Sequence, residues 1–463
     1  MAAILNLRKT GKNWRRGKKG QNPILCQPIG KIGEVCYTKG KNERGLGANE
    51  KIILEKFVRY INKVYGVARY AHQLRDNKSR RSIKTAVVAY LLLFAFALEV
   101  SSFNKMTVLL EYNKKRFHNL FPKGTRLPKI DALRETVKSM WLEDVLAMYD
   151  GIIDKAIENK VLRENTINGL RVAAVDGVEL FSSKVKCCED CLTREVKGED
   201  EYFHKAVVCM TVGCDPHIAL GVEMLGPKND GSDKDEGEMT GVKRLLTNLH
   251  QKHYHFADVI VADALYMNAP FLNLVTGIGM DAVVRAKDER LNIVQDALGL
   301  FKGREPDHEF HDTKKQVWAW DEAHFHMNGY GGNIRFLKFV ETWVTPKGKE
   351  MRREAWCITT LGKNISAHTV WLIMRKRWHI ENNGFRMLKT YFHADHNYVH
   401  GKGANEKILL FILMAFNLME LFLFRRLKDF REKKIPRYLI KEMILWELDT
   451  HNMAEHFACF DTG

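Results

Sequence analysis

Residues 171–181 read RVAAVDGVELF, and this stretch decides the fold class. In an extended chain Val172, Ala174 and Asp176 share one face while Ala173 and Val175 share the other. The segment is therefore apolar on both sides up to its carboxylate, the pattern of a strand buried inside a sheet. Upstream, from Lys51 to about Leu162, apolar residues recur at steps of three and four, as in IILEKFVRYINKVYGVARY and LEDVLAMYDGIIDKAI, which is the helical period. Downstream come HKAVVCMTVGC and HIALGVEML at hairpin-like intervals, the helix EMTGVKRLLTNLHQKH, the strand ADVIVADA, the helix APFLNLVTGIG and the strand MDAVVRAK. Three strands, helix, strand, helix, strand is a mixed α/β sheet in outline. Residues 291–365 read as β-rich again, through QVWAWDEAHFHM, NIRFLKFVETWV and EAWCITTL, and a helical pattern resumes at about Ala367. This gives a basic arm over 1–50, a helical region over 51–165 and an α/β core over 166–290. A β-rich insertion over 291–365, the last core helices over 366–432 and a C-terminal tail over 433–463 complete it.

The 463 residues carry 73 Lys+Arg against 56 Asp+Glu, a surplus of 17 positive charges that favours a polyanionic partner. Eleven of the basic residues and only two acids precede residue 45, as expected of a solvated or phosphate-contacting arm. The longest uncharged apolar runs are Thr85–Leu98, fourteen residues, and Ile408–Met419, twelve. Both fall short of the roughly 20 residues of a spanning helix and read as buried core helices, so no membrane association is expected. The N-terminus has too short an apolar stretch before its basic cluster for a secretory signal. Nine Cys in a chain of this length do not make a disulfide scaffold, which suits a soluble protein of a reducing compartment.

Three acids stand out by position. Asp176 and Asp263 close apolar strands, and Glu381 lies in RKRWHIENNGFRMLKTYF on the helical stripe formed by Trp378, Phe385, Leu388 and Phe392. A buried carboxylate persists only with a compensating cation, metal or hydrogen-bond set. Glu381, flanked by Arg377 and Lys389, is read either as a structural ion pair or as a ligand. Three converging carboxylates, two at strand ends and one on a helix, can hold two divalent metals on oxygen. Set roughly 3.5–4 Å apart, such metals activate a water or a 3′-hydroxyl and stabilise the leaving oxygen of a phosphodiester.

VAAVDGVELF, VIVADALY and RWHIENNGFRMLK resemble the three acid motifs of bacterial insertion-sequence DDE transposases, in the group with a β-rich insertion before the Glu. The resemblance covers roughly residues 170–426. The intervals suit it: 263 − 176 = 87 residues between the aspartates, and 381 − 263 = 118 from the second to the Glu, long enough for an insertion. It implies a ribonuclease H-like sheet with Asp176 on the central first strand, Asp263 after the fourth, and Glu381 on the helix following the insertion. It further implies Mg2+, with Mn2+ as a substitute, on Asp176, Asp263 and Glu381, and Arg377 and Lys389 as DNA contacts. Two departures stand in the last motif. Seven residues separate Glu381 from Lys389 where the family has six, and Met374 occupies the place of the family's Tyr. By position, the helical region over 51–165 would be the site-specific DNA-binding part. The implied partners are double-stranded DNA, both element ends and target, and a second copy of the chain. The implied location is cytoplasmic, on the nucleoid. A ribonuclease H-like nuclease without strand transfer, or a domesticated non-catalytic DNA-binding protein, are the rival readings.

Other signals are weaker. VKCCEDCLTREV offers Cys188 and Cys191 as ligands for a structural Zn2+, with His204, Cys209 and Cys214 downstream; reduced cysteines in a hairpin are the simpler reading. His393, His396 and His400 could place two imidazoles on one helical face for Zn2+, but read better as a polar turn that lines the active-site edge or contacts phosphates. Trp318 and Trp320 share one strand face, read as the core of the insertion in preference to a stacking platform for an unpaired base. NDGSDKDEGE lacks calcium-loop spacing and reads as an acid-rich helix start.

Overall fold

The computed structural model describes residues 52–458, apart from 79–82, 113, 165, 228–233, 288, 428, 429 and 431. The basic arm over 1–50 lies outside the described residues. Residues 51–463 form one unit.

The strands, in chain order, are β1 (Thr166–Ile167), β2 (Leu170–Ser183), β3 (Leu192–Val196), β4 (Glu199–Thr211), β5 (Ala219–Met224), β6 (Val259–Ala262), β7 (Asp281–Ala286), β8 (His308–Asp312), β9 (Lys315–Met327), β10 (Tyr330–Val344) and β11 (Glu350–Thr359). They form one sheet in the order β3-β4-β2-β6-β7-β11-β10-β9-β8, with β5 also on β4 and β1 on β2. The fold is α/β, as the sequence predicts. β2, β6 and β7 run parallel, and β4 and β5 complete the first half as antiparallel hairpin partners. Parallel neighbours need crossovers, and helices Glu238–Lys252 and Ala269–Gly277 supply them before β6 and β7. Val172 to Val175 on β2, and all of β6, are buried because both sheet faces are covered there.

The insertion departs from its sequence reading at its start. It opens with a helix, Asn292–Phe301, whose buried Ile293, Val294, Ala297 and Phe301 follow the helical period that the surrounding β pattern masked. The insertion is continuous with the core sheet. β11 pairs antiparallel with β7, Trp356 opposite Ala286 through Thr359 opposite Val283, so the inserted strands prolong the core sheet and cover its edge. Trp318 and Trp320 are only half-buried, and the core face of β9 is that of Val317 and Ala319.

The helical segment shares a core with the sheet. Helix Thr85–Ala97 is buried at every position but the first, so it has no polar stripe and must be surrounded. It packs against the other long apolar run, helix Ala404–Leu421. That helix, with its continuation to Arg426, is long and apolar enough to cross a membrane, and 94% of its most apolar window is buried inside the protein. Asn417 at its centre accepts from the Ala219 N–H at 2.9 Å and donates to the Ala219 carbonyl at 2.8 Å, while the Tyr149 hydroxyl donates to the same carbonyl at 2.6 Å. The C-terminal segment is folded too. Helix Arg437–Thr450 receives the Leu54 N–H on Glu447 at 2.6 Å, and Phe457 meets Tyr90 and Phe121 edge to face. Its buried Ile440, Ile444 and Leu448 repeat at four, a stripe too short to stand out in a charged tail.

Candidate active site

Asp176 lies in the middle of β2, not at its end. Parallel pairing with β6 covers only Val172 to Ala174, with Ala174 opposite Val261, because β6 stops at Ala262. Continuing that register by two residues sets Asp176 level with Asp263, on strands roughly 4.8 Å apart. Across β6 and β7 the same count sets Asp263 level with Arg285, since Ala262 faces Val284. Each aspartate has one oxygen fixed by backbone. Asp176 Oδ1 accepts from the Gly177 N–H at 2.9 Å, and Asp263 Oδ1 caps a short turn by accepting from the Leu265 N–H at 2.8 Å.

Glu381 arrives from the helical run that follows the insertion. Helix Ala367–Lys376, capped by Ser366, leads into a wide π-helical turn, Ile380–Phe385, in which the Arg386 N–H donates to the Glu381 carbonyl. Such turns contain one residue more than the α-helix and recur at functional sites. Gly384 lets this turn lie against β4: a Cβ there would stand 2.8 Å from Met210 Sδ. Arg377, Ile380, Gly384, Phe385, Leu388 and Phe392 are buried, so of the expected apolar stripe only Trp378 departs, being half-buried. The extra residue explains the difference, because a strict count of three and four loses phase across it.

Arg377 joins the pieces. Its Nη2 donates to Glu381 Oε1 at 2.9 Å, its Nη1 lies 3.4 Å from Asp176 Oδ2, and it stacks 4.8 Å from the Trp378 ring. The side chain is 3% exposed, so its first duty is to bridge two of the three acids, and its contact with Glu381 is the ion pair that the sequence left open beside the ligand reading. Burial pushes the Asp176 carboxyl up to about 6. Arg377 pulls it down, Asp263 and Glu238 push it up, and the net is a carboxylate short of compensation.

Glu238 escaped the sequence reading, which took it for one of several acids at a helix start. It packs on Gly177, where a Cβ would stand 2.5 Å from its carboxyl carbon. It accepts from the Tyr266 hydroxyl at 2.7 Å and pairs with Lys205 at 2.6 Å. Burial, Glu238 and the two site aspartates hold the Tyr266 hydroxyl far above its ordinary range. Arg285 is the other missed group. Burial, with Arg353 and Arg377 nearby, lowers its pKa, while Asp263 and Glu381 oppose that. The available signal was its position, level with Asp263 on the next strand. Met374 is buried in the core, so nothing at that position reaches the pocket. Lys389 lies half-buried on helix Arg386–Thr390.

Residues 214–418 match a family described as the transposase DDE domain. That segment is similar to a transposase DDE domain. The match includes Asp263 and Glu381 and begins after Asp176, which enters the same pocket through β2. No curated protein matches the chain. DDE transposases as a family use divalent metals, and the donor set here fits that chemistry. Asp176, Asp263 and Glu381 offer hard carboxylate oxygens, and the raised pKa of Asp176 reflects first a burial cost that Arg377 does not offset, with Asp263 and Glu238 adding to it.

Proposed function

We propose that this chain is the transposase of an insertion sequence, cutting and rejoining DNA at the pocket of Asp176, Asp263 and Glu381. The observation that carries the reading is Asp263 directly after β6, where the β2–β6 register continued by two residues sets it level with Asp176, with Glu381 tied to Asp176 through Arg377. Mg2+, or Mn2+ in its place, bound on these three carboxylates would supply the charge that activates the attacking oxygen and stabilises the leaving one. Backbone N–H groups fix one oxygen of each aspartate, and the second oxygen of Asp176 is the one that Arg377 reaches at 3.4 Å. In the first step a water oxygen attacks phosphorus in line, the P–O3′ bond breaks, and the 3′-oxygen leaves as a hydroxyl. In the second, that 3′-hydroxyl attacks a target phosphodiester, and one P–O bond is exchanged for another.

Arg377 and Lys389 are proposed to hold phosphates beside the cut end, Arg377 once it lets go of Asp176. The π turn removes the apparent misfit of Lys389. With one residue absorbed by the wide turn, seven intervening residues bring Lys389 to the helical face that six would reach. We assign the site-specific DNA contact to the helical region over 51–165. A homodimer on paired ends, working on the nucleoid, completes the proposal.

The test uses linear DNA bearing the short inverted repeats that flank the coding region. Incubated with Mg2+, the chain should release 3′ ends and join them to a second duplex, and Asp176→Asn should do neither. Cleavage without joined product would favour the nuclease reading. An inert wild-type chain on its own element ends, or an Asp176→Asn variant of equal activity, would overturn the assignment.

A further inference from the structure

A second cluster of chemistry lies away from the acids. Cys188 and Cys191 close the loop that follows β2, His204 projects from β4, and His400 comes from the irregular segment between the Glu381 helix and helix Ala404–Leu421. One donor atom from each of the four lies within 4.8 Å of the others. The two sulfurs are 3.6 Å apart, His204 Nε2 is 3.4 Å from each sulfur, and His400 Nε2 is 3.5 Å from the Cys191 sulfur. A tetrahedral Zn2+ with Zn–S of about 2.3 Å and Zn–N of about 2.05 Å has edges of about 3.8 Å between sulfurs and about 3.5 Å between sulfur and nitrogen. The observed separations fall close to those edges.

The surroundings fit a metal and not a disulfide. A covalent S–S bond is about 2.05 Å, far shorter than this contact. The Cys188 N–H points at the Cys191 sulfur at 3.3 Å, and the Cys191 N–H closes the loop on the Cys188 carbonyl at 3.1 Å, so one amide dipole faces sulfur. Neighbouring cysteines are not drawn in. Cys187 is exposed and its sulfur faces the Cys188 carbonyl, and Cys214 lies by the Thr166 carbonyl. Asn405 Nδ2 also reaches His204 Nε2, at 3.0 Å, a contact that a bound ion would replace.

We infer that Cys188, Cys191, His204 and His400 form a structural zinc site that clamps the strand bearing Asp176 to the segment that follows Glu381. Two thiolates and two imidazoles in a tetrahedron select Zn2+ over Mg2+ or Mn2+, and four protein ligands leave no open position for catalysis. The clamp has a mechanical logic. The Cys188–Cys191 loop and the turn before Ala404 otherwise meet through little more than the Gly403 N–H on Asp190 at 2.6 Å and an exposed Lys402–Glu189 pair. The ion ties the end of β2, β4 and the chain beyond the Glu381 helix at one point, and so fixes the hairpin and helix that carry two of the three acids.

The experiment is metal analysis of the full-length chain, purified without chelators. One zinc per chain is expected. Cys191→Ser and His400→Ala should each weaken zinc retention against a chromogenic chelator by roughly a hundredfold or more. Asp176→Asn should keep its zinc, which separates this site from the acidic pocket. Should the variants fail to fold, the wild-type chain still answers. Zinc should protect Cys188 and Cys191 from alkylation while Cys187 reacts regardless, and Co2+ in its place should show the visible absorption of a tetrahedral thiolate complex. A zinc-free chain that takes up none from micromolar solution, equal alkylation of all three cysteines with and without zinc, or a Cys188–Cys191 disulfide in the fresh protein would overturn the inference.

Discussion

The carboxylates of the insertion and those of the pocket are treated in opposite ways. In the insertion, Asp321 and Arg335 are 3% and 4% exposed and face each other squarely, both guanidinium contacts being 2.7 Å or shorter. The remaining Arg335 N–H groups reach the Gly362 and Ile365 carbonyls at 2.9 and 2.7 Å. Glu341, fully buried nearby, is matched by Lys315 at 2.8 Å, the Trp371 indole at 3.0 Å and Arg375 at 3.3 Å. Every charge there has its partner, and the result is a rigid joint between the inserted strands and helix Ala367–Lys376. In the pocket Asp176 has one distant guanidinium contact, two further acids close by, and a pKa pushed up to about 6. The first arrangement is stable as it stands. The second is stable only at a cost, and a cation removes that cost.

The largest expected effect tests the pocket. Asp176→Asn should lower end cleavage by at least about a thousandfold, or about 4 kcal/mol, because a transition-state charge loses a ligand. A variant within tenfold of wild type would mean that the carboxylate is not spent on chemistry. The joint is tested by Arg335→Met, which strands Asp321 and should destabilise the fold by about 3–5 kcal/mol in urea. Loss below about 1 kcal/mol would show that the two regions do not differ as argued.

The pH dependence sharpens the comparison. Asp176 ionises at 3.8 when unfolded and at about 6 when folded. Its contribution to stability is thus intact below about pH 4 and is lost as pH rises through 6, a loss of about 3 kcal/mol for a carboxyl displaced that far. In EDTA, Asp176→Asn should therefore be more stable than wild type at pH 7.5 and equal to it at pH 4. Mg2+ should narrow the gap at pH 7.5 by stabilising the wild type. Equal stability of the two proteins across that range would place the strain elsewhere.

Much of this was legible in the sequence, for a physical reason. Strands buried on both faces cannot hide an acid, so Asp176 and Asp263 declare themselves, and Glu381 does so against aromatic neighbours. Helix Ala367–Lys376 begins where its pattern begins, at Ala367 beside the Ser366 cap. What was not legible depends on tertiary neighbours. Glu238 looks like any acid at a helix start until the glycine opposite it is seen, and Arg335 finds Asp321 only through the β9–β10 pairing. His400 lies 209 residues from Cys191, and no local spacing joins them. The helix Asn292–Phe301 and the C-terminal helices were lost because short stripes are weak beside charged or β-branched text.

The smallest effect concerns the helix that carries Glu381. If the π turn absorbs one residue, Lys389 faces the cut end, and Lys389→Ala should remove one phosphate contact. The slope of log affinity against log salt would then fall by about 0.9, with little change in cleavage rate once DNA is saturating. Deleting exposed Asn382 from the wide turn gives the opposite control. The turn should close to an α-helix with the phase of Lys389 against Glu381 preserved, so the salt slope should stay at its wild-type value. A deletion that lowers the slope as Lys389→Ala does would mean that the turn does not set the lysine's direction. The acid and the base would then be independent features of the same helix, and the extra residue would owe its place to the packing of Gly384 on Met210 alone.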